Sequence, residues 1–120
     1  MNTLYVREDI NMKKLRKPKD VILKDGRSLQ EVLDLHKKWL DGEEDGVKAE
    51  LEKEDLSYTY LEGLELRGII LYDCDLSHSD LYKSILSDAK LDKIKTNNTL
   101  YYKLQCPEES SFIVYKKAKK

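Results

Sequence analysis

The sequence predicts a repeat fold in which a regularly turning chain encloses a column of leucine side chains. A leucine occupies every fifth position of one long stretch without a gap: Leu51, Leu56, Leu61, Leu66, Leu71, Leu76, Leu81, Leu86 and Leu91. A fixed internal period indicates that one small unit is stacked on itself. A period of five matches neither the 3.6 residues of a helical turn nor the two-residue alternation of a strand. The chain must therefore turn at regular intervals so that each leucine returns to one interior.

Composition and charge divide the 120-residue chain into three parts of one domain. Charged residues make up 38% of the chain and the formal net charge is only −1. The repeats are acidic, because residues 47–92 hold eleven acidic and five basic side chains, whereas residues 93–120 hold seven lysines and two glutamates. We assign residues 1–46 to an N-terminal strand and helix cap, 47–95 to the repeats, and 96–120 to a C-terminal hairpin cap and basic tail.

The N-terminal part contains a clear helix signal. Ser28 stands three residues before Glu31, as in a capping box, and apolar residues follow at helical spacing up to Leu40. With Gly42 as the C-terminal cap, this pattern predicts a helix over 28–41 that packs its apolar stripe on the open end of the repeats. Short strands are predicted at 3–6 and 21–23, a turn at Asp25–Gly26, and a solvated linker at the basic stretch 13–19.

The C-terminal part predicts a hairpin over the other end of the repeats. Residues 100–106 alternate between apolar and polar side chains, residues 107–110 suit a turn, and residues 112–115 suit a second strand. Residues 116–120 predict a frayed lysine tail. We expect this tail to add solubility and, at most, a weak contact with nucleic acid.

A second inward position precedes each leucine by two residues and is mostly small or apolar. Its occupants are Ala49, Glu54, Thr59, Leu64, Ile69, Cys74, Ser79, Ser84 and Ala89. Glu54 is the exception, and we expect distortion there because a buried carboxylate is costly unless it is paired. Leu64 and Ile69 are large for a tight corner and should widen it.

Several repeats resemble a known unit. Cys-Asp-Leu-Ser at 74–77, Ser-Asp-Leu-Tyr at 79–82 and Ala-Lys-Leu at 89–91 resemble the Ala-Asp-Leu-x-x unit of the pentapeptide-repeat family. The resemblance covers about 45 residues and implies a mainly β fold, a right-handed quadrilateral β-helix with four repeats per turn and about two turns, roughly 11 Å tall at ordinary strand spacing. So short a solenoid needs caps. The flanks 25–29, 39–40 and 104–113 look like the segments around such repeats in bacterial and phage proteins.

Positions twenty residues apart should then stack on one outer face, which gathers tyrosines and acids on two neighbouring faces. The predicted partner-binding residues are Asp55, Tyr58, Tyr60, Glu62, Asp75, His78, Asp80 and Tyr82. Exposed aromatic residues commonly anchor protein interfaces. We therefore expect a non-enzymatic module that binds another protein, although stacked tyrosines could also serve only to support the wall.

Two other functions fit the same pattern. Stacked carboxylates can imitate the phosphates of DNA, as longer pentapeptide-repeat proteins do toward DNA gyrase and topoisomerase. This resemblance implies an inhibitor of a DNA-handling enzyme, such as a topoisomerase or an anti-phage nuclease. The other alternative is a structural module that assembles with itself through an end or edge strand. The sequence leaves the oligomeric state open.

The sequence offers no catalytic, cofactor or metal site. Cys74 should face inward and His78 outward, so they cannot converge, and His36 belongs to the apolar helix face. Two histidines and two cysteines lack the spacing of a metal site, and no glycine-rich phosphate loop is present. Without an apolar leader, a membrane-length apolar run or a disulfide framework, we expect a cytoplasmic protein.

Overall fold

The repeats form a stack of short parallel strands in the computed structural model, which describes residues 14–100. A 3-10 helix, Pro18–Asp20, is followed by α1, Leu29–Leu40, and then by three strands. These strands are β1, Glu50–Glu52, β2, Ile70–Tyr72, and β3, Lys90–Asp92. The strand predicted at 3–6, Cys106, the basic tail and the hairpin beyond residue 100 lie outside the described residues.

The chain returns to the same place after every 20 residues. In the parallel sheet β1-β2-β3, Leu51 pairs with Leu71 and Leu71 with Leu91. Three further parallel ladders keep this spacing: Asp55–Asp75–Lys95, Tyr60–Asp80–Leu100 and Glu65–Ile85. The four ladders follow one another at five-residue intervals, so the repeats form a β-helix-type coil.

A left-handed backbone conformation two residues after each leucine creates these intervals. It recurs at every fifth residue from Lys53 to Asn98, with φ between 51° and 78°. At Leu66, Leu81 and Leu86 the leucine carbonyl also accepts the N–H three residues later, at 3.0–3.1 Å. A positive φ at the third residue of such a turn is the hallmark of type II. Only two of these ten positions are glycine, so most turns keep the conformation despite a cost of about 1–2 kcal/mol per residue.

The interior contains the leucines and a second set of buried side chains that link one turn to the next. A hydroxyl or thiol at the second inward position donates to a leucine carbonyl 23 residues earlier. The pairs are Cys74 with Leu51, Ser79 with Leu56, Ser84 with Leu61 and Thr99 with Leu76. Ser79 also accepts the N–H of Thr59 at 2.9 Å. The predicted inward position therefore contributes hydrogen bonds between turns as well as packing.

Glu54 does not distort the coil, contrary to the prediction. Its side chain is only half-buried, and its carboxylate accepts the N–H of Lys24 at 3.2 Å. The Glu54 carbonyl still accepts the N–H of Asp75 at 3.1 Å, so the ladder continues through this corner. The carboxylate leans toward the N-terminal turn, where a main-chain donor compensates for its partial burial.

The coil continues past the last leucine of the period. Thr96 stands where the next leucine would fall, yet Lys95 pairs with Asp75 and Leu100 pairs with Asp80. Thr99 and Leu100 are buried. The 20-residue backbone register is therefore maintained although a polar residue, Thr96, occupies one inward position.

Helix α1 confirms the capping prediction. The Ser28 side chain accepts the N–H of Glu31, and the Glu31 side chain accepts the N–H of Ser28. The helix ends at Leu40, and Gly42 follows with a φ of 78°. The turn at Asp25–Gly26 is also present, closed by the bond from the Gly26 N–H to the Leu23 carbonyl. The strand predicted at 21–23 is only a single antiparallel bridge between Ile22 and Ser28.

Helix α1 covers the first turn of the coil, as its apolar stripe predicts. Leu29 and Leu33 border the same apolar interior as the leucines of that turn. His36 is fully buried; its Nδ1 accepts the Ala49 N–H at 2.9 Å, and its Nε2 lies 2.9 Å from the Arg67 carbonyl. These two contacts assign the proton to Nε2. His36 is therefore a core histidine that connects the helix to two corners of the coil.

The segment around Arg16 is part of the fold and not a solvated linker. The Arg16 N–H donates to the Tyr58 carbonyl at 2.6 Å, and the Tyr60 N–H donates to the Arg16 carbonyl at 2.8 Å. The Arg16 guanidinium also reaches the Ser57 carbonyl. Arg16 thus adds one more layer above Tyr60, because the first turn leaves main-chain groups there without a preceding turn.

Ser79→Ala should lower the free energy of unfolding by about 2 kcal/mol, because the Leu56 carbonyl and the Thr59 N–H would each lose a buried partner. Ser87→Ala, on the outer wall, should change it by less than about 0.5 kcal/mol. Urea denaturation measures both. Equal stabilities would contradict a structural role for the bonds between turns.

Gly68→Ala should destabilise the protein more than Gly63→Ala. Both glycines have a left-handed φ, which costs an alanine about 1 kcal/mol. A Cβ at Gly68 would also lie 3.2 Å from the Trp39 ring, whereas nothing lies within 4 Å at Gly63. Urea denaturation in the wild-type and Trp39→Ala backgrounds tests this contact, because the difference between the two alanine variants should vanish without the ring.

Acid should weaken the attachment of α1 through His36. Burial lowers the pKa of His36 below its ordinary value of 6.5, so the unfolded chain binds a proton first. The contribution of His36 to the free energy of unfolding is therefore complete above about pH 6.5 and falls as the pH drops below that value. His36→Gln should flatten this dependence between pH 6.5 and 5 in thermal melts. An unchanged slope would contradict the role of His36.

Candidate functional site

The predicted binding residues lie on the two neighbouring ladders that pass through Asp55 and Tyr60. At their centre the rings of Tyr58 and His78 stack with centroids 4.5 Å apart and planes at 10°. Both residues have the left-handed conformation, with φ of 51° and 62°. The 20-residue register therefore brings together the two rings that the sequence placed on one face.

The coil fixes the backbone beneath this aromatic pair. The Tyr58 N–H donates to the Ser77 carbonyl at 3.0 Å, and the His78 N–H donates to the Asn97 carbonyl at 2.8 Å. Asn98 follows in the next layer with the same left-handed φ. Because every layer is bonded to the next, the two rings project from a backbone that cannot readily rearrange.

Carboxylates flank the aromatic pair, and each is held by its own turn. Asp55 Oδ1 accepts the Ser57 N–H at 3.0 Å, and Asp75 Oδ1 accepts the Ser77 N–H at 2.9 Å. The hydrogen bond with the Ser57 side chain is the largest of the causes that lower the pKa of Asp55. The nearby charge of Arg16 lowers this pKa further, whereas burial raises it. The Asp55 side chain stays 72% exposed and lies 3.7 Å from Arg16. A charged carboxylate is thus presented beside the rings.

The prediction that Asp80 lies on the outer surface is wrong. The residue is 0% exposed, and its Oδ1 accepts the Tyr82 N–H at 2.9 Å. The short side chain folds back onto its own turn, as aspartates do in Asx turns. Asp80 therefore supports the wall and presents no carboxylate to a partner.

The remaining predicted residues surround the centre of the surface. Tyr60 is 41% exposed, and its hydroxyl donates to the half-buried Glu62 at 3.2 Å. Tyr82 is half-buried, and the Lys83 ammonium lies 5.3 Å from its ring centroid. The surface thus has an exposed aromatic centre and a polar margin.

The predicted line of stacked carboxylates is interrupted. Asp55 lies over Asp75, but Lys95 is the next residue of that ladder. Asp80 is buried in the adjoining ladder, and Arg16 lies against Asp55. Arg16 and Lys95 therefore bound a short pair of carboxylates on this wall, whereas a phosphate-like line needs an unbroken series of negative groups.

Sequence reasoning missed Arg16 as a neighbour of the site. Its guanidinium contacts the carbonyls of Asp55 and Ser57, 39 and 41 residues away. No repeat or spacing marks this residue, because its partners are main-chain atoms. A cluster of basic residues was the only available signal, and it indicated a linker.

Cys74 faces inward as predicted, and burial raises the pKa of its thiol. Residues 14–100 contain no group of three His, Cys, Asp or Glu side chains that could hold a metal ion. In the same range no helix has the length and apolar character of a membrane span. Helix α1, for comparison, has 12 residues.

The periodic leucines and the β-helix-type coil agree with a comparison against protein-family models. Residues 55–93 match the model of pentapeptide repeats, with eight copies. Residues 55–93 are therefore identified as pentapeptide repeats. No curated protein matches the chain.

Proposed function

We propose that this chain is a non-enzymatic module that binds another protein through the aromatic surface formed by Tyr58, His78 and Tyr60. Asp55 and Asp75 flank this surface and would favour a partner with basic side chains beside an apolar patch. Pentapeptide repeats often act as interaction modules, which supports this class of function. Tyr82 and Glu62 belong to its margin.

The observation that carries the proposal is the Tyr58–His78 stack on a hydrogen-bonded wall. Tyr58 is 41% exposed although it is a large ring in a strained backbone conformation. Ordering flexible side chains at an interface costs conformational entropy, and rings that are already stacked lose less of it on binding. Tyrosine is also among the residues that most often dominate interface energies.

The proposal includes a right-handed, four-sided coil in the cytoplasm. Four ladders at 20-residue spacing support the four sides, and parallel strands joined by crossovers are almost always right-handed. The free, buried thiol of Cys74 is compatible with a reducing compartment. The interrupted carboxylates favour aromatic anchoring over imitation of DNA.

Tyr58→Gly should abolish binding of the partner while leaving the coil folded, because glycine suits the left-handed φ but removes the ring. Lys53→Gly is the matched control at an equivalent turn with φ 57°. Partners captured from bacterial lysate would be identified by mass spectrometry and then titrated in purified form. We expect at least about a thirtyfold loss of affinity for Tyr58→Gly and little change for Lys53→Gly.

Asp55→Asn combined with Asp75→Asn separates the two binding modes in the same titration. Aromatic anchoring predicts a smaller loss than Tyr58→Gly causes. A partner that ignores Tyr58→Gly but is lost with the two asparagines would contradict the proposal and favour charge mimicry.

A further inference from the structure

The outer edge of β1 holds main-chain groups that pair with nothing in residues 14–100. On the inner side of the strand, the Ile70 N–H donates to the Ala49 carbonyl at 3.0 Å. Because residues of a parallel strand bond alternately to its two sides, Leu51 also faces β2, whereas the N–H and C=O groups of Glu50 and Glu52 point away from it. β1 is the terminal strand of its sheet, so these groups form an open edge.

The side chains along this edge are acidic. Glu50 and Glu52 are both exposed on the outer face of β1, and the buried Leu51 lies between them. Neither glutamate forms an ion pair with another residue of 14–100. A strand added to this edge would place its outward side chains beside the two carboxylates, with Cβ atoms about 4.5–5.5 Å apart. The edge therefore favours a segment that carries basic residues at two alternate positions.

Basic side chains lie at the two ends of the strand and not along it. Lys48 stands before β1, and its ammonium lies 5.3 Å from the centroid of the Trp39 ring. Lys53 follows β1 in the left-handed turn, with a φ of 57°. Two basic residues placed opposite Glu50 and Glu52 would therefore have carboxylates as their nearest charged neighbours on β1.

A groove beside this edge, between α1 and the chain that leads into β1, has room for an apolar side chain. Its volume is about 280 Å³, and its lining includes the buried Val32 and Ala49 and also Val47, which is 52% exposed. Arg27 at its border is paired with Asp25 at 2.9 Å. A side chain between two outward basic residues would point inward, to the side on which Val32 and Ala49 are buried. The groove therefore suits a neutral apolar residue between the two basic ones.

A second copy of the chain fits this edge poorly. Antiparallel pairing of two β1 strands about Leu51 would place Glu50 of each copy opposite Glu52 of the other. Like charges directly opposite each other destabilise a strand pair, and charged side chains on an edge strand commonly protect it from pairing with itself. The same two carboxylates thus disfavour a copy and attract a basic segment.

We propose that the outer edge of β1 binds an extended segment of a partner protein with the pattern basic–apolar–basic. The segment adds a strand to the coil, places its two basic residues beside Glu50 and Glu52, and directs the apolar side chain into the groove. Main-chain hydrogen bonds supply affinity in this mode of recognition, and alternate side chains supply selectivity. The site is separate from the aromatic surface of Tyr58, His78 and Tyr60.

Two capped heptapeptides test the proposal by NMR titration of the isotope-labelled full chain. Both alternate threonine and valine, except that positions three and five are lysine in one peptide and glutamate in the other. The lysine peptide should shift the amide signals of Glu50 and Glu52, whose N–H groups gain a partner, more than that of Leu51. It should bind about tenfold more tightly than the glutamate peptide, because two exposed ion pairs replace two contacts between like charges. No shifts at millimolar peptide, equal affinities, or tighter binding of the glutamate peptide would overturn the proposal.

Glu50→Gln combined with Glu52→Gln should abolish this preference, because it removes both charges and leaves the main-chain edge intact. Glu43→Gln combined with Glu44→Gln is the matched control: these two acids are also exposed but lie in the connection from α1, so the preference should remain. Retention of the preference in the first variant, or its loss in the control, would overturn the proposal.

A lysine peptide that is N-methylated at its three central residues separates strand addition from charge attraction. It keeps both charges but cannot donate these main-chain N–H groups, so it should not bind, and unchanged binding would overturn strand addition. Tyr58→Gly should leave peptide binding unchanged, so failure of this inference and failure of the proposed function are distinguishable. Shifts of Glu50 and Glu52 that rise with the protein's own concentration, without peptide, would assign the edge to a second copy and overturn the proposal.

Discussion

The left-handed turn that follows each leucine by two residues is the constraint on which the remaining structure depends. Nine such residues, from Lys53 to Lys93, and a tenth, Asn98, which follows Thr96, bend the chain at five-residue intervals. Four bends bring the backbone back over itself, so the N–H groups that join neighbouring turns meet carbonyls 19 or 21 residues away. Leucine burial then compensates for the strain of the turns, at about 1.5–3 kcal/mol for each buried side chain.

The same constraint explains the flanking elements and the surface. A short stack leaves main-chain groups at its first turn without a preceding turn to pair with, so Arg16 and His36 supply partners there. The outward positions inherit the 20-residue register, which places Tyr58 over His78. The fold therefore orders the surface aromatics before any partner arrives.

The periodic leucines and the capping box predicted the coil, the stacking register and the helix. These features come from local backbone geometry repeated many times, so a sequence pattern records them. The prediction for Asp80 was wrong because an aspartate at this position of the repeat can either face a partner or accept a hydrogen bond from its own turn. Arg16 was missed because its partners are main-chain atoms at a stack end, which carry no side-chain signature. The Glu54 prediction was wrong because a distant N–H, that of Lys24, was invisible in the sequence.

Scalar couplings across hydrogen bonds, measured by long-range NMR correlation on the labelled chain, test the 20-residue return most directly. We expect couplings from the amides of Ile85, Lys90 and Lys95 to the carbonyls of Leu64, Ile69 and Cys74, each 21 residues earlier. Couplings at another spacing, or rapid exchange of these three amides in a folded protein, would contradict the coil.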